Sequence, residues 1–123
     1  MPKYIYVYNK DRQLRSPIRT RWCASVLCRF TGLMFKRPLN KNEAIMLVYP
    51  RDSRVDAAIH MLFVLAPLSV IWIDSTRTVV DTVMALPWHP VYAPHKAAQF
   101  VLEAHPDCLD DFRSGERVDF VDE

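Results

Sequence analysis

The chain has 123 residues, 50% of them hydrophobic and 24% charged, with only two glycines, a composition that excludes a disordered, low-complexity or collagen-like protein. At this length roughly two-thirds of the unfolded surface can be buried, so residues 1–123 are expected to form a single domain with its own core. The net charge is +2, but residues 1–41 carry ten Lys/Arg against one acid, and residues 42–123 carry six against thirteen. Such asymmetry can mark a surface for anionic partners, or it can cancel internally if the two parts pack together, the reading we favour because they nearly balance.

The opening segment MPKYIYVYNK lacks the continuous apolar run and cleavage site of a secretory signal, so a cytoplasmic chain is expected. Tyr4–Tyr8 is aromatic and β-branched throughout and predicts a strand, ended by a turn at Asn9–Asp11. A second strand is expected over Leu14–Ile18, at an edge because of Pro17. From Thr20 the apolar residues Trp22, Val26, Phe30 and Leu33 recur at helical spacing, predicting a helix capped by Thr20 and stopped at Gly32.

The cysteines Cys23, Cys28 and Cys108 are odd in number. On one helix Cys23 and Cys28 would point about 140° apart, so all three are expected to be reduced and structural, Cys28 beside Arg29 being the one candidate for a reactive thiol.

Ala44–Tyr49 predicts a buried strand between Glu43 and Pro50. The stretch IHMLFVLAPLSVIWID, residues 59–74, sits in an apolar segment too short for a membrane span, since a helix over Ala57–Ile73 would cover about 25 Å of a roughly 30 Å hydrocarbon core. Pro67 inside that helix would cost about 3 kcal/mol, and two strands parted at Ala66–Pro67 avoid the penalty. A turn at Asp74–Arg77 and a return strand over Thr78–Met84 follow. LPWHPVYAPH reads as a proline-stiffened loop, Gln99–Ala104 as a strand, Pro106–Phe112 as a short helix and Arg117–Val121 as a last strand. Six or seven short strands with two short helices predict a mainly β chain, a compact sandwich or partial barrel.

Three segments, RFTGLMFKR at residues 29–37, the apolar stretch of residues 59–74, and the closing QFVLEAHPDCLDDFRSGERVDF, together resemble the domain of unknown function 192 family, small β-rich proteins of bacteria and archaea, over about residues 20–121. RFTGLMFKR, residues 29–37, is similar to the family's arginine, two variable residues, Gly-Leu-Met and a basic residue. Ile59-His60, Pro67-Leu68 and Val70–Asp74 match a second motif, and QFVLEAHPDCLDDFRSGERVDF matches the family's closing Val-Leu-Glu strand, short helix, turn and final strand. Ser69 stands where the family usually has aspartate, Glu116 where Asp commonly follows the turn glycine, and Leu62, Phe63 and Val64 replace a Lys-Asn-Thr. The resemblance implies one β domain and brings no established activity, cofactor or substrate.

Of the candidate site residues, His60 stands out because a histidine in an apolar strand must find a hydrogen-bond partner, in the core or at a cleft beside Trp88. Arg29 could pin the helix to the sheet by pairing with Glu103 or Asp81, or could contact an anion beside Lys36 and Arg37. Trp88, Tyr92 and His95 ride the proline loop, where rigid aromatics suit recognition of a protein segment.

The histidines His60, His89, His95 and His105 show no zinc-type spacing, so no metal and no cofactor are expected. A Ser69-His60-Asp81 triad would need an exposed nucleophile, and Ser69 lies in a buried strand. No Gly-rich phosphate loop can form from Gly32 and Gly115. The function stays unknown from sequence. A non-enzymatic domain binding a protein partner through residues 85–96 is the leading reading, with a small-ligand binder or enzyme using a cleft around His60, Arg29 and Trp88 as the alternative. Binding of nucleic acid or an anionic membrane surface by the basic N-terminal part is the weakest of the three.

Overall fold

The computed structural model describes residues 3–13 and 17–123. Seven strands, β1 (Tyr4–Asn9), β2 (Ile18–Cys23), β3 (Glu43–Ser53), β4 (Leu68–Ile73), β5 (Val79–Ala85), β6 (Ala98–Ala104) and β7 (Val118–Asp122), form one sheet in the order β5-β4-β6-β3-β2-β1-β7. The chain is mainly β, with one α-helix, α1 (Val26–Thr31), and one 3-10 helix, Pro106–Asp111. The sheet is open rather than doubled into a sandwich. It curls far enough for its edge strands to meet at one corner, where Val79 N–H donates to Glu116 O, Gly115 N–H to Val79 O and Val118 N–H to Arg77 O.

Alternation along each strand divides the apolar side chains between two faces. Ile5, Val7, Met46, Ile71, Ile73, Val79, Phe100, Leu102 and Val118 point into the concave side, where the 3-10 helix adds Cys108 and where Phe112 packs. Ile45, Leu47, Leu68, Val70, Trp72 and Val101 point to the other side and are covered by Ala57, Ile59, Met61 and Val64. β2 and β3 are the one parallel pair in the sheet, and a parallel pair requires a crossover connection. That crossover carries α1 and the Gly-Leu-Met turn, which contribute Cys28 and Leu33 to this second face.

Two expected elements differ. The helix starts at Val26, capped by Ser25 Oγ, which accepts from Cys28 N–H at 3.1 Å, while Gly32 ends it as expected, its N–H donating to Cys28 O at 2.8 Å. Residues 18–23 instead alternate buried Ile18 and Thr20 with exposed Arg19 and Arg21 and pair with both β1 and β3, so ladder formation overrides the apparent helical period. The apparent period ran from a strand residue, Trp22, into true helix residues. Of the strand expected over Leu14–Ile18, residues 14–16 lie outside the described residues. The first half of residues 59–74 is not a strand. It crosses the sheet as an irregular segment joined to the 86–92 loop by an isolated bridge between Ile59 and Tyr92, burying Met61 and Val64 and exposing Leu62, Phe63 and Leu65.

The expectation of three reduced cysteines is overturned for two of them. Cys23 ends β2 and Cys28 lies in α1, so the two are not on one helix, and they form a disulfide with Cα atoms 5.5 Å apart. Cys28 is therefore no reactive thiol. Cys108 remains free and buried, its Sγ donating to Lys41 O, and burial first of all pushes its thiol up to about 11. Denatured without reductant, the protein should show one titratable thiol, rising to three after reduction; three before reduction would contradict the disulfide.

Five cations of the basic N-terminal part reach carboxylates of the acidic remainder: Lys3–Asp122, Arg12–Glu116, Arg19–Glu123, Arg37–Glu43 and Lys41–Asp107. Most are exposed pairs of small energetic weight, but they dissipate much of the sequence's charge asymmetry within the fold. Among the described residues no helix is long and apolar enough to cross a membrane.

Candidate functional site

Glu103 occupies an inner strand, opposite Ile45 on β3 and Val70 on β4, and its side chain lies on the face that carries Leu47 and Val101. It is 5% exposed and makes no hydrogen bond or ion pair with the described residues. Burial raises its pKa from the ordinary 4.5 to about 7, because nothing nearby compensates a charge removed from water.

Above Glu103 the crossover closes over the sheet without filling the space. Gly32 adopts φ +44°, in the left-handed range that favours glycine, and a Cβ there would stand 3.6 Å from Glu103 Oε1. The result is a cavity of about 410 Å³ lined in part by Arg29, Tyr49, Asp56, His60, Val64 and Glu103, with Phe30, Leu33 and Leu47 among the apolar side chains that complete its wall.

The polar groups around it are individually placed. Arg29 Nη1 donates to Val48 O at 3.1 Å, and its guanidinium lies 4.8 Å from the centre of the Tyr49 ring. Tyr49 is half-buried; burial raises its phenol pKa first, Glu103 raises it further and Arg29 lowers it, so the phenol lies within the fields of both. Leu62 N–H donates to His60 Nδ1 at 3.2 Å, which leaves the proton of the neutral ring on Nε2, 3.4 Å from Phe30 O. His60 is partly exposed at the wall of the cavity and is not sealed in the core.

The structure thus brings His60 and Arg29 together and leaves the other three candidates elsewhere. Arg29 does not pair with Glu103 or Asp81. Trp88 projects outward, 53% exposed, and meets Phe63 edge-on at 4.9 Å, while Phe63 stacks on Phe35 at 4.9 Å. Tyr92 anchors the proline loop, its hydroxyl accepting from Leu86 N–H and its backbone bridging Ile59. His95 Nδ1 lies 2.8 Å from Asp81 Oδ2, a carboxylate that also accepts from His95 N–H. Ser69 is buried and donates to the carbonyls of His105 and Pro106, fastening the 3-10 helix, and Glu116 accepts from Asn9, Arg12 and the Arg113 N–H. Neither lines the cavity, so those two departures from the family pattern leave it intact; of the replaced tripeptide only Val64 reaches it.

In the sequence Glu103 is legible only as an arginine partner, Gly32 only as a helix stop within the Gly-Leu-Met motif, and Tyr49 only as the end of a buried strand. The available signal was a lone carboxylate in the apolar run AQFVLEA of β6.

The chain is a small, mainly β protein built on a single curled sheet, with a cavity between one face of the sheet and the crossover connection. The chain belongs to the domain of unknown function 192 family (DUF192, Uncharacterized ACR), whose model matches residues 7–120. It is similar to UPF0127 protein TK1120 of Thermococcus kodakarensis, 47% identical over 63% of this chain and 47% of the relative. It is also similar to UPF0127 protein PH1112 of Pyrococcus horikoshii, 33% identical over 79% of this chain and 81% of the relative. The chain spans about half the length of the first of these. Its fold is shared with a crystal structure from Sinorhizobium meliloti described as a candidate transcription regulator, with a TM-score of 0.84 and 14% identity over 98% of this chain and 94% of that one.

Proposed function

We propose that this domain binds a small ligand in the cavity over Glu103. One observation carries the reading: residues from all three family-like segments, Arg29 with Gly32–Met34, His60, and Glu103, meet at this cavity although they are far apart in sequence. The buried carboxyl among them has no partner among the described residues. An interior acid without one is unfavourable by several kcal/mol if ionised, and a group kept in that state beside a void is suited to a ligand that completes it. Cavity volume, apolar walls and a few convergent polar groups fit the same reading.

Screening a small-fragment collection by amide chemical shifts is the test. Saturable changes are expected at Arg29–Met34, His60 and Glu103, and should disappear when Ala58→Phe narrows the cavity. Fragments that perturb only other surfaces, or changes that persist in the narrowed variant, would remove the proposal.

A second reading, a protein-docking surface, is favoured by the aromatic ladder of Phe35, Phe63 and Trp88. All three have positive φ, at 59°, 62° and 66°, although bulky side chains disfavour that region. Such strain at three exposed aromatics, Phe63 touching both Phe35 and Trp88, is the kind retained where a surface is used. Partner proteins captured by the wild type should then be lost from a Phe63→Ser, Trp88→Ala variant of unchanged stability, and unaltered capture would count against this surface.

A further inference from the structure

The composition of the cavity also restricts its ligand, an inference that rests on the cavity being a ligand site. Glu103 and Arg29 line the same space and carry opposite charge when ionised, yet no hydrogen bond or ion pair joins them. Direct pairing would relieve a carboxyl that has no other partner among the described residues. Arg29 is held back instead: one guanidinium nitrogen is fixed on Val48 O and the plane lies against Tyr49, while the remaining donors of its fork have no carboxylate partner among the described residues. A Cβ at Gly32 would stand 3.6 Å from Glu103 Oε1 and 4.0 Å from the Arg29 carbonyl oxygen, and both side chains line the one cavity, so a single small molecule held there can meet both.

We infer that the ligand is a small zwitterion, a protonated amine and a carboxylate on an apolar body, with its amine at Glu103 and its carboxylate at Arg29. Free amino acids with apolar side chains are the simplest members of this class. A plain cation would meet Glu103 but leave Arg29 unanswered, and a plain anion would meet Arg29 but face Glu103 and Asp56. The body would contact Leu33, Leu47, Ile59 and Val64, and a cavity of about 410 Å³ lies toward the small end for ligand sites.

The test uses L-leucine, L-methionine and L-phenylalanine, each also as its N-acetyl derivative and as its amide, with indole and phenol as uncharged controls. Binding is read by calorimetry and by the amide shifts of Arg29–Met34 and Glu103. At least one free amino acid should bind saturably, and removal of either charge should weaken it by about tenfold or more. Glu103→Gln should weaken the free amino acid while changing its N-acetyl derivative little, and Arg29→Gln should do the same with respect to the amide. Both variants are checked for a native-like amide spectrum, and a second pair that also removes the charge, Glu103→Met and Arg29→Met, replaces either that fails to fold. An N-acetyl derivative or amide that binds as tightly as its parent would overturn the zwitterion. So would perturbation of the cavity by indole or phenol but by no amino acid, an outcome that leaves the cavity reading standing. Silence from both sets would overturn the two together.

Discussion

Replacing Trp72 with alanine is expected to lower the unfolding free energy by about 3–5 kcal/mol, the range for deleting a large buried aromatic. Trp72 is 1% exposed in β4, between β5 and β6, and its Nε1–H donates to Ala57 O at 2.8 Å. Its indole therefore packs under the irregular 57–65 segment and also ties that segment's first carbonyl to the sheet. Trp72→Phe keeps much of the packing and leaves the Ala57 carbonyl without its donor, so a smaller loss of about 1–3 kcal/mol is expected. Denaturant unfolding with an unchanged slope checks both values. Because the same segment supplies Ala58, Ile59, His60 and Val64 to the cavity wall, the alanine variant should also lose ligand-induced shifts there. A loss below about 1 kcal/mol for Trp72→Ala would contradict the packing described.

The second large effect concerns pH. Burial raises Glu103 from 4.5 to about 7, so between these values the folded chain holds a proton that the unfolded chain releases. The associated stability is fully present below about pH 4.5 and is lost as pH rises through about 7. At 1.36 kcal/mol per pKa unit the loss amounts to about 3 kcal/mol. Glu103→Gln has the shape of the protonated acid and no proton to lose. The difference in unfolding free energy between wild type and variant should therefore move by about 3 kcal/mol in favour of the variant between about pH 4 and pH 8. Other carboxylates titrate equally in both proteins and cancel, and parallel pH profiles would sink the assignment.

What the sequence reveals of this molecule follows from how local each determinant is. β1, the first half of β3, β5, β6 and β7 are legible because alternation and bounding turn residues lie within each segment. β2 and α1 are misread because Trp22 from a strand and Val26 and Phe30 from a helix fall by chance on one helical period. The 57–65 segment has strand composition, yet its backbone is satisfied by the 86–92 loop rather than by a ladder, and that partner lies outside any local window. The Cys23–Cys28 disulfide was hidden by the same misplaced helix. His60 and Arg29 are visible as site residues because a polar group in an apolar run and an arginine in a motif are conspicuous. Glu103 as an unpaired acid is not, since nothing local says that an arginine with three strands between it and β6 will bond to a carbonyl instead.

The most direct test of the account is the carboxyl titration of Glu103 itself, followed by the side-chain 13C resonance in the free protein. A buried carboxyl facing a cavity, with no partner among the described residues, should titrate with a midpoint near 7. A midpoint at the ordinary 4.5 would mean that the group is paired or fully hydrated, and would contradict the central claim that an unanswered acid lies at the base of a ligand site.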